Sequence, residues 1–192
     1  MAKINGMNIK KQIKLTFQTS SEITDLYRSL KIDYPKFFKM DGLSKLGFLA
    51  SELILKDEEN RFTPNESLAV ICFNRSSSLD IDTQYQETIR NNDNFFPSPS
   101  LFVYTLPNIV AGEIAIRNKF YGETFFYICK LFDAKQIVRT VKNTFQDKNT
   151  TTVLAAWIEH FEDKREVLMM LVENEKGKME FTERQLTKLY NS

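Results

Sequence analysis

Cysteine and histidine are both scarce in this chain of 192 residues, which has two cysteines and a single histidine. Cys72 and Cys129 each lie inside an apolar run, AVICF and FFYIC, of the kind that forms a buried strand. A disulfide framework is therefore not expected, and a reducing cytoplasm is the expected compartment. The histidine, His160, has charged neighbours along the chain, and this setting predicts an exposed strand residue.

An excess of charge of either sign is also missing, since 26 Lys and Arg residues stand against 25 Asp and Glu residues. This balance gives no electrostatic reason to expect nucleic acid or an anionic membrane as a partner. The N-terminus lacks the apolar core of a signal peptide, and no apolar run reaches the length of a membrane span. We expect a soluble cytoplasmic protein that forms a single domain over residues 1–192.

Short apolar runs alternate with helical patterns along the chain. The runs SLAVICFN and ETFFYICKL are apolar on both faces, as in the buried strands of parallel sheets. Asp41 is a plausible N-cap for a helix over 42–56, and Thr182 can cap a last helix. The runs TTVLAAWIEHF and EVLMMLVENE are joined by the short turn EDKR, so the last strand should run antiparallel. The sequence predicts an α/β fold with a five-stranded mixed sheet, mostly parallel, and helices on both faces.

The segment from Leu106 to Gly122 reads LPN-x₃-G-x-IAIR-x₄-G, a pattern in which several unusual residues agree at fixed spacing. Together with PKFFKMDGLSKLGFLASELIL and LAVICFN, it resembles the N-terminal half of the β-ketoacyl-ACP synthases, members of the thiolase-like superfamily. A complete synthase has two such halves in one chain. The resemblance therefore implies a thiolase-like half-domain, the N-terminal half of a ketosynthase.

The resemblance also implies where catalytic groups would lie. In the family, the turn glycine (here Gly122) leads into a strand that delivers a nucleophilic cysteine, and the corresponding position is about Leu131. Cys129 lies two residues earlier, a shift of roughly 6–7 Å along an extended strand. The two active-site histidines of the family belong to the half that this chain lacks. We therefore expect no catalytic residue, with Cys129 as a weak candidate, and no cofactor or metal.

Several polar or unusual residues have two interpretations. The loop from Asn74 to Ser78 could hold an anion at a helix start or could be a capped turn, the commoner case. Trp157 is expected to fill the core rather than to stack on a ligand. Glu159, Glu162 and Asp163 are expected to be solvated.

Two helices carry further expectations. Gly112 lies inside a helix predicted to have Pro107 in its first turn, and a glycine there predicts close approach of another backbone. The helix over 133–146 is amphipathic, with lysines and an arginine on one face. In a complete synthase the corresponding helix is sandwiched between the two halves, and burying unpaired charges there would be prohibitive. This face is expected to meet water or a polar partner, with the last helix a candidate to cover part of it.

Three functional hypotheses remain open. The first is a non-catalytic ketosynthase-like accessory protein of a fatty-acid or polyene pathway, which binds an acyl carrier protein or a true synthase. The family pairs subunits through the strand before the nucleophile, so a homodimer or a heterodimer with a ketosynthase would use the edge formed by Thr124, Phe125, Phe126, Tyr127 and Ile128. The second hypothesis is an acyl-thiol transferase or carrier that uses Cys129. The third is a small-molecule-binding module that uses the loop FFPSPS and a groove beside Gly112.

Overall fold

A computed structural model of the chain describes residues 6–90 and 95–192, in which we find five strands and seven α-helices. The strands are β1 (Asn8–Thr16), β2 (Leu68–Asn74), β3 (Thr124–Ile128), β4 (Thr152–Phe161) and β5 (Lys164–Glu173). The helices are α1 (Ser20–Ser29), α2 (Gly42–Ile54), α3 (Leu79–Glu87), α4 (Pro99–Tyr104), α5 (Ile109–Asn118), α6 (Ala134–Thr144) and α7 (Glu183–Asn191), with a short 3₁₀ helix at Pro35–Lys39.

The five strands form one mixed sheet in the order β1-β5-β4-β2-β3. Strands β3, β2 and β4 are parallel, and β5 runs antiparallel to both of its neighbours, β4 and β1. Four strands therefore point in one direction, and the last strand opposes them. This arrangement confirms the predicted sheet, including the antiparallel last strand.

Helices cover both faces of the sheet, as predicted, and each face has its own apolar core. On the side that we call the α2 face, Cys72, Leu154 and Ile158 pack with residues of α1, α2 and α5. On the opposite side, the α6 face, Phe73 and Trp157 pack with residues of α6 and α7. Successive residues of β2 and β4 alternate between the two cores, because side chains of a strand point to opposite sides of the sheet.

The helix caps follow the chemistry of the sequence. Asp41 accepts hydrogen bonds from the backbone N–H groups of Leu43 and Ser44, and Thr182 accepts one from Gln185, so both predicted N-caps are confirmed. Helix α7 packs beside α6 on the α6 face, where Leu186 is fully buried. The last helix thus covers part of the surface that the amphipathic α6 would otherwise expose.

The predictions for Gly112 and for the preceding loop were wrong in detail. A Cβ built on Gly112 would meet nothing within 4 Å, so no backbone approaches it closely. The close approach is at Gly47 of α2, where a Cβ would collide with Val110 of α5. Helix α4, capped by Ser98, begins inside a segment predicted to be a loop, and α5 starts only at Ile109.

Strand β3 was predicted to be buried on both faces, but it forms the outer edge of the sheet. Its side chains are accordingly exposed or half-buried rather than buried. Among the helices of the described residues, none combines the length and the apolar character needed to cross a membrane.

Candidate functional site at the carboxyl end of the sheet

The parallel strands β2, β3 and β4 end at the same edge of the sheet, with Asn74, Ile128 and Phe161 as their last residues. In open α/β sheets, ligands bind most often outside the carboxyl ends of the strands. Every candidate that the sequence offered for chemistry, apart from the FFPSPS loop and Gly112, lies at or near this end.

The loop after β2 holds the side-chain carboxylate of Glu159. The carboxylate of Glu159 accepts hydrogen bonds from the backbone N–H of Arg75 at 3.0 Å and of Ser76 at 3.2 Å. The Asn74 side chain closes the turn by accepting from Ser77 N–H and donating to Ser77 O. The loop is thus a capped turn, as predicted for the commoner case, and the Glu159 carboxylate occupies the N–H groups of Arg75 and Ser76.

Glu159 was predicted to be solvated, and this prediction was wrong. The side chain is buried, because the loop after the neighbouring strand satisfies both of its oxygens. Glu162 and Asp163 lie in the turn between β4 and β5 and are exposed, in agreement with the prediction. The sequence carried a signal for this contact, since a polar loop follows β2 and a carboxylate lies near the end of the neighbouring parallel strand β4.

Cys129 follows β3 directly, and its backbone N–H donates to Asn74 O at 2.7 Å. The side chain is buried on the α6 face beside Phe73 and Ile137. Burial raises the pKa of the thiol, and the nearby carboxylate of Asp133 raises this pKa further. A raised pKa reduces the thiolate fraction at neutral pH, and the thiolate is the form that attacks an electrophile.

Leu131 lies where the resemblance places the nucleophile. Its side chain is 60% exposed, and it lines a cavity of about 280 Å³ together with Phe132, Trp157 and Tyr190. Trp157 is buried and packs edge-on against Phe132, which agrees with a role in the core. This position therefore presents an aliphatic side chain to the cavity, where covalent catalysis would need a thiol.

His160 was predicted to be exposed, but only 8% of its surface is accessible. Its ring lies against the backbone of Gly42, where a Cβ would overlap the imidazole, and its Nδ1 lies 3.4 Å from an Asp80 carboxylate oxygen. The absence of a side chain at the start of α2 is what allows the ring to be buried there. His160 follows Ile158 by two residues and thus lies on the α2 face, whereas Cys129 is on the α6 face. The sheet separates the two side chains, so the structure contains no Cys129–His160 pair.

The outer edge of the sheet is open and apolar. Phe125 and Ile128 are 47% and 58% exposed, and no described strand pairs with the outer side of β3. The backbones of Glu123 and Cys129 bond to β2. In a parallel ladder the residues with the opposite parity direct their N–H and C=O groups away from that neighbour. Thr124, Phe126 and Ile128 therefore present their backbone groups at the open edge.

The other predicted binding elements do not form a closed groove. Phe95 and Phe96 of the FFPSPS loop are exposed, and Gly112 has no packed neighbour on its open side. Residues 91–94, which precede this loop, lie outside the described residues.

Taken together, the sheet order and the helices on both faces define an α/β fold with a five-stranded mixed sheet. No family model and no curated protein matches the sequence. Solved structures do match the fold. The ishigamide ketosynthase/chain length factor superposes with a TM-score of 0.70 at 14% identity, over 88% of this chain and 62% of the matched chain.

Two further structures place the fold among ketosynthases. The ketosynthase ApeO in complex with its chain length factor ApeC, from Xenorhabdus doucetiae, matches with a TM-score of 0.65 at 12% identity, over 97% of this chain and 90% of the matched chain. A type II polyketide synthase acyl carrier protein in complex with its ketosynthase, AntDE:AntF, matches with a TM-score of 0.60 at 10% identity, over 89% and 63%. The chain thus has a ketosynthase-like fold and spans less than two thirds of two of these three matched chains.

Proposed function

We propose that this protein is a non-catalytic ketosynthase-like subunit that pairs with a ketosynthase of a fatty-acid or polyene type pathway in the cytoplasm. The observation that carries the proposal is the open, apolar edge of β3. In this role, residues 1–192 are proposed to act as one domain.

The exposed edge supports pairing on physical grounds. An unpaired strand with free backbone groups and apolar side chains is an aggregation hazard unless another chain covers it. Phe125 and Ile128 give this edge an apolar surface, and Thr124, Phe126 and Ile128 offer the backbone groups that a partner strand needs. A ketosynthase strand that pairs here would continue the sheet across the interface and remove the open edge.

The comparisons support a ketosynthase as the partner. Two of the matched structures are named for a ketosynthase together with a chain length factor. In one of them the match covers 90% of the other chain, which is therefore of similar length to this protein. A half-length chain of this fold in such an assembly supports a half-domain as a partner subunit.

A non-catalytic role is supported by the side chains at the carboxyl end of the sheet. Leu131 has no nucleophilic atom, and the thiol of Cys129 is buried and on the other face of the sheet from His160. The alternative of an acyl-thiol transferase or carrier needs an accessible Cys129 thiolate. The alternative of a small-molecule module beside Gly112 needs a closed groove, and the described residues around Gly112 leave it open.

Co-expression with a ketosynthase of the same biosynthetic pathway tests the proposal. We expect the two chains to copurify, and the replacement Ile128→Lys to abolish copurification, because a charge would be buried at the paired edge. Leu79→Lys is the matched control, since Leu79 is an exposed apolar residue of α3, outside the sheet. Copurification that survives Ile128→Lys would contradict the β3 interface, and a ketosynthase that never copurifies would contradict the partner.

The acyl carrier protein is tested separately in the same system. Addition of the purified carrier to the paired subunits should give a ternary complex that is visible by native mass spectrometry. If this chain forms only a homodimer through β3, the edge is correct and the ketosynthase partner is wrong.

A further inference from the structure

A second cavity lies on the α2 face, outside the region around Leu131. It has a volume of about 360 Å³ and lies between the 3₁₀ helix, the start of α2, α3 and the start of β5. Its apolar wall includes Phe38, Met40, Ile81 and Leu101. Small-molecule sites are typically concave and mostly apolar, with a few convergent polar groups, and this cavity lies within their usual range of size.

Three cationic side chains line this cavity, namely Lys39, Lys45 and Arg165. In the part of the chain that the structure describes, none of them has a carboxylate oxygen within 4.0 Å. Arg165 donates only to uncharged oxygens, Ser20 Oγ at 3.4 Å and Gln18 O at 3.2 Å. The cavity therefore contains positive charge that has no direct anionic partner.

Lys45 is half-buried, so its charge is partly removed from water. Its Nζ lies 5.8 Å from the centre of the Phe37 ring, a weak cation–π contact and not an ion pair. Burial lowers the pKa of the ammonium group, and the negative charge of Asp41 opposes this shift only in part. A partly desolvated cation is stabilised by a counter-ion, and the protein supplies none in direct contact.

Two aspartates also line the cavity and offset part of its positive charge. Asp41 opposes the lowering of the Lys45 pKa, and His160 and Arg165 lower the pKa of Asp80. Asp41 accepts from the first N–H groups of α2, Leu43 and Ser44, and thus serves as the helix cap. Asp80 accepts from the Gln84 side chain at 2.9 Å and faces His160 at 3.4 Å. With Lys39, Lys45 and Arg165 against these two carboxylates, the cavity lining has a net positive charge.

His160 gives an independent observation at this cavity. The side chain is nine-tenths buried on the wall of the cavity. Its Nδ1 faces an Asp80 carboxylate oxygen at 3.4 Å, whereas its Nε2 has no hydrogen-bond partner among the described residues. Buried polar atoms in native proteins are nearly always paired, so the unpaired Nε2 needs an explanation. A ligand oxygen in the cavity would supply the partner that the protein does not.

We propose that this cavity binds a small organic anion, a carboxylate that carries an apolar chain of a few carbon atoms. The carboxylate lies against Lys45 and Arg165, with His160 beside it. The chain packs on Phe38, Ile81 and Leu101. This site is independent of the β3 edge. A test of ligand binding here therefore does not test the proposed subunit role.

Titration of the ¹⁵N-labelled protein with hexanoate tests the site. We expect saturable shifts of the backbone amide signals around Phe38, Ile81 and Leu101, and no comparable shifts in α6. Hexylammonium has the same chain with the opposite charge and should not bind. Inorganic phosphate has charge without a chain and should bind more weakly.

Lys45→Met retains the length and shape of the side chain but removes its charge. It should weaken hexanoate binding roughly tenfold, the effect of losing one charge-assisted hydrogen bond. Lys135→Met, an exposed position on α6, is the matched control and should leave the affinity unchanged.

The site is rejected if hexanoate produces no saturable shifts in the natural protein, a result that does not depend on how any variant folds. Equal binding of hexylammonium would overturn the assigned charge, and phosphate binding as tight as hexanoate would overturn the assigned chain. Unchanged affinity in a folded Lys45→Met protein would also overturn the proposal.

Discussion

The carboxylate of Glu159, near the end of β4, accepts a hydrogen bond from the backbone N–H of Arg75, in the loop after β2, at 3.0 Å. The second oxygen of the same carboxylate accepts from Ser76. A single buried side chain thus ties together the carboxyl ends of two neighbouring strands. The contact joins residues far apart in the chain, so it forms only when the sheet has assembled.

Glu159→Gln should therefore destabilise the fold. The amide keeps one oxygen but turns an NH₂ group toward a backbone N–H, so one buried donor loses its partner at a cost of about 1–3 kcal/mol. Urea unfolding followed by circular dichroism measures this loss. Glu162→Gln, in the exposed turn two residues further on, is the control and should change the free energy of unfolding by less than about 0.5 kcal/mol. Equal midpoints for the two variants would contradict the structural role of Glu159.

Gly47 and Gly112 form a matched pair of helical glycines with opposite expectations. Gly47→Ala should cost about 1–3 kcal/mol, because the added methyl group collides with Val110 where α2 crosses α5. Gly112→Ala should stabilise the protein by about 0.5–1 kcal/mol, because its Cβ enters open space and alanine favours the helix. Thermal unfolding of the two variants tests both expectations. Relative to the natural protein, the two midpoints must move in opposite directions.

Much of the fold could be predicted from the sequence, because it depends on local patterns. The alternation of apolar runs and amphipathic segments predicted the mixed sheet, and Asp41 and Thr182 marked two helix starts. The short turn at Glu162 and Asp163 predicted the antiparallel last strand. Each of these features depends on neighbours within a few residues.

The errors concern contacts between distant segments. Glu159 and His160 lie at the end of β4 and have charged neighbours, a pattern typical of a strand that emerges into solvent. Their burial depends on Gly42 and on the Arg75 loop, which are distant in the chain. The role of Gly112 was predicted from its position in a helix, whereas close packing depends on which face meets α2.

The two cysteines should be unreactive in the folded protein. Burial raises the pKa of the Cys72 thiol to about 12 and also raises the pKa of the Cys129 thiol, with a further contribution from Asp133. At pH 7.5 both thiols are therefore protonated and covered. Iodoacetamide should add no label to the native protein and two labels in urea, as counted by intact mass spectrometry. A single label on the native protein that disappears in Cys129→Ala would instead support the acyl-thiol alternative.

An ion network joins α2, α5 and the loop after α2. Glu52 is buried, and one of its carboxylate oxygens contacts both Arg61, at 2.5 Å, and Arg117, at 3.0 Å. Arg61 also donates to Asn118 at 2.9 Å, which fixes the guanidinium in place. Two cations thus share one buried anion, and neither can leave the site without breaking other contacts.

Glu52→Gln should destabilise the protein by about 3–5 kcal/mol, because it leaves two partly buried guanidinium groups without a carboxylate. Asp25→Asn is the control, since the Asp25–Arg28 pair is exposed on both sides and is expected to contribute about 0–1 kcal/mol. Urea unfolding at low and high salt separates the two cases, because salt screens the exposed pair and has little effect on the buried one. If Glu52→Gln unfolds at the same urea concentration as Asp25→Asn, then the arginines find water or other partners, and the network is not what holds α2 against α5.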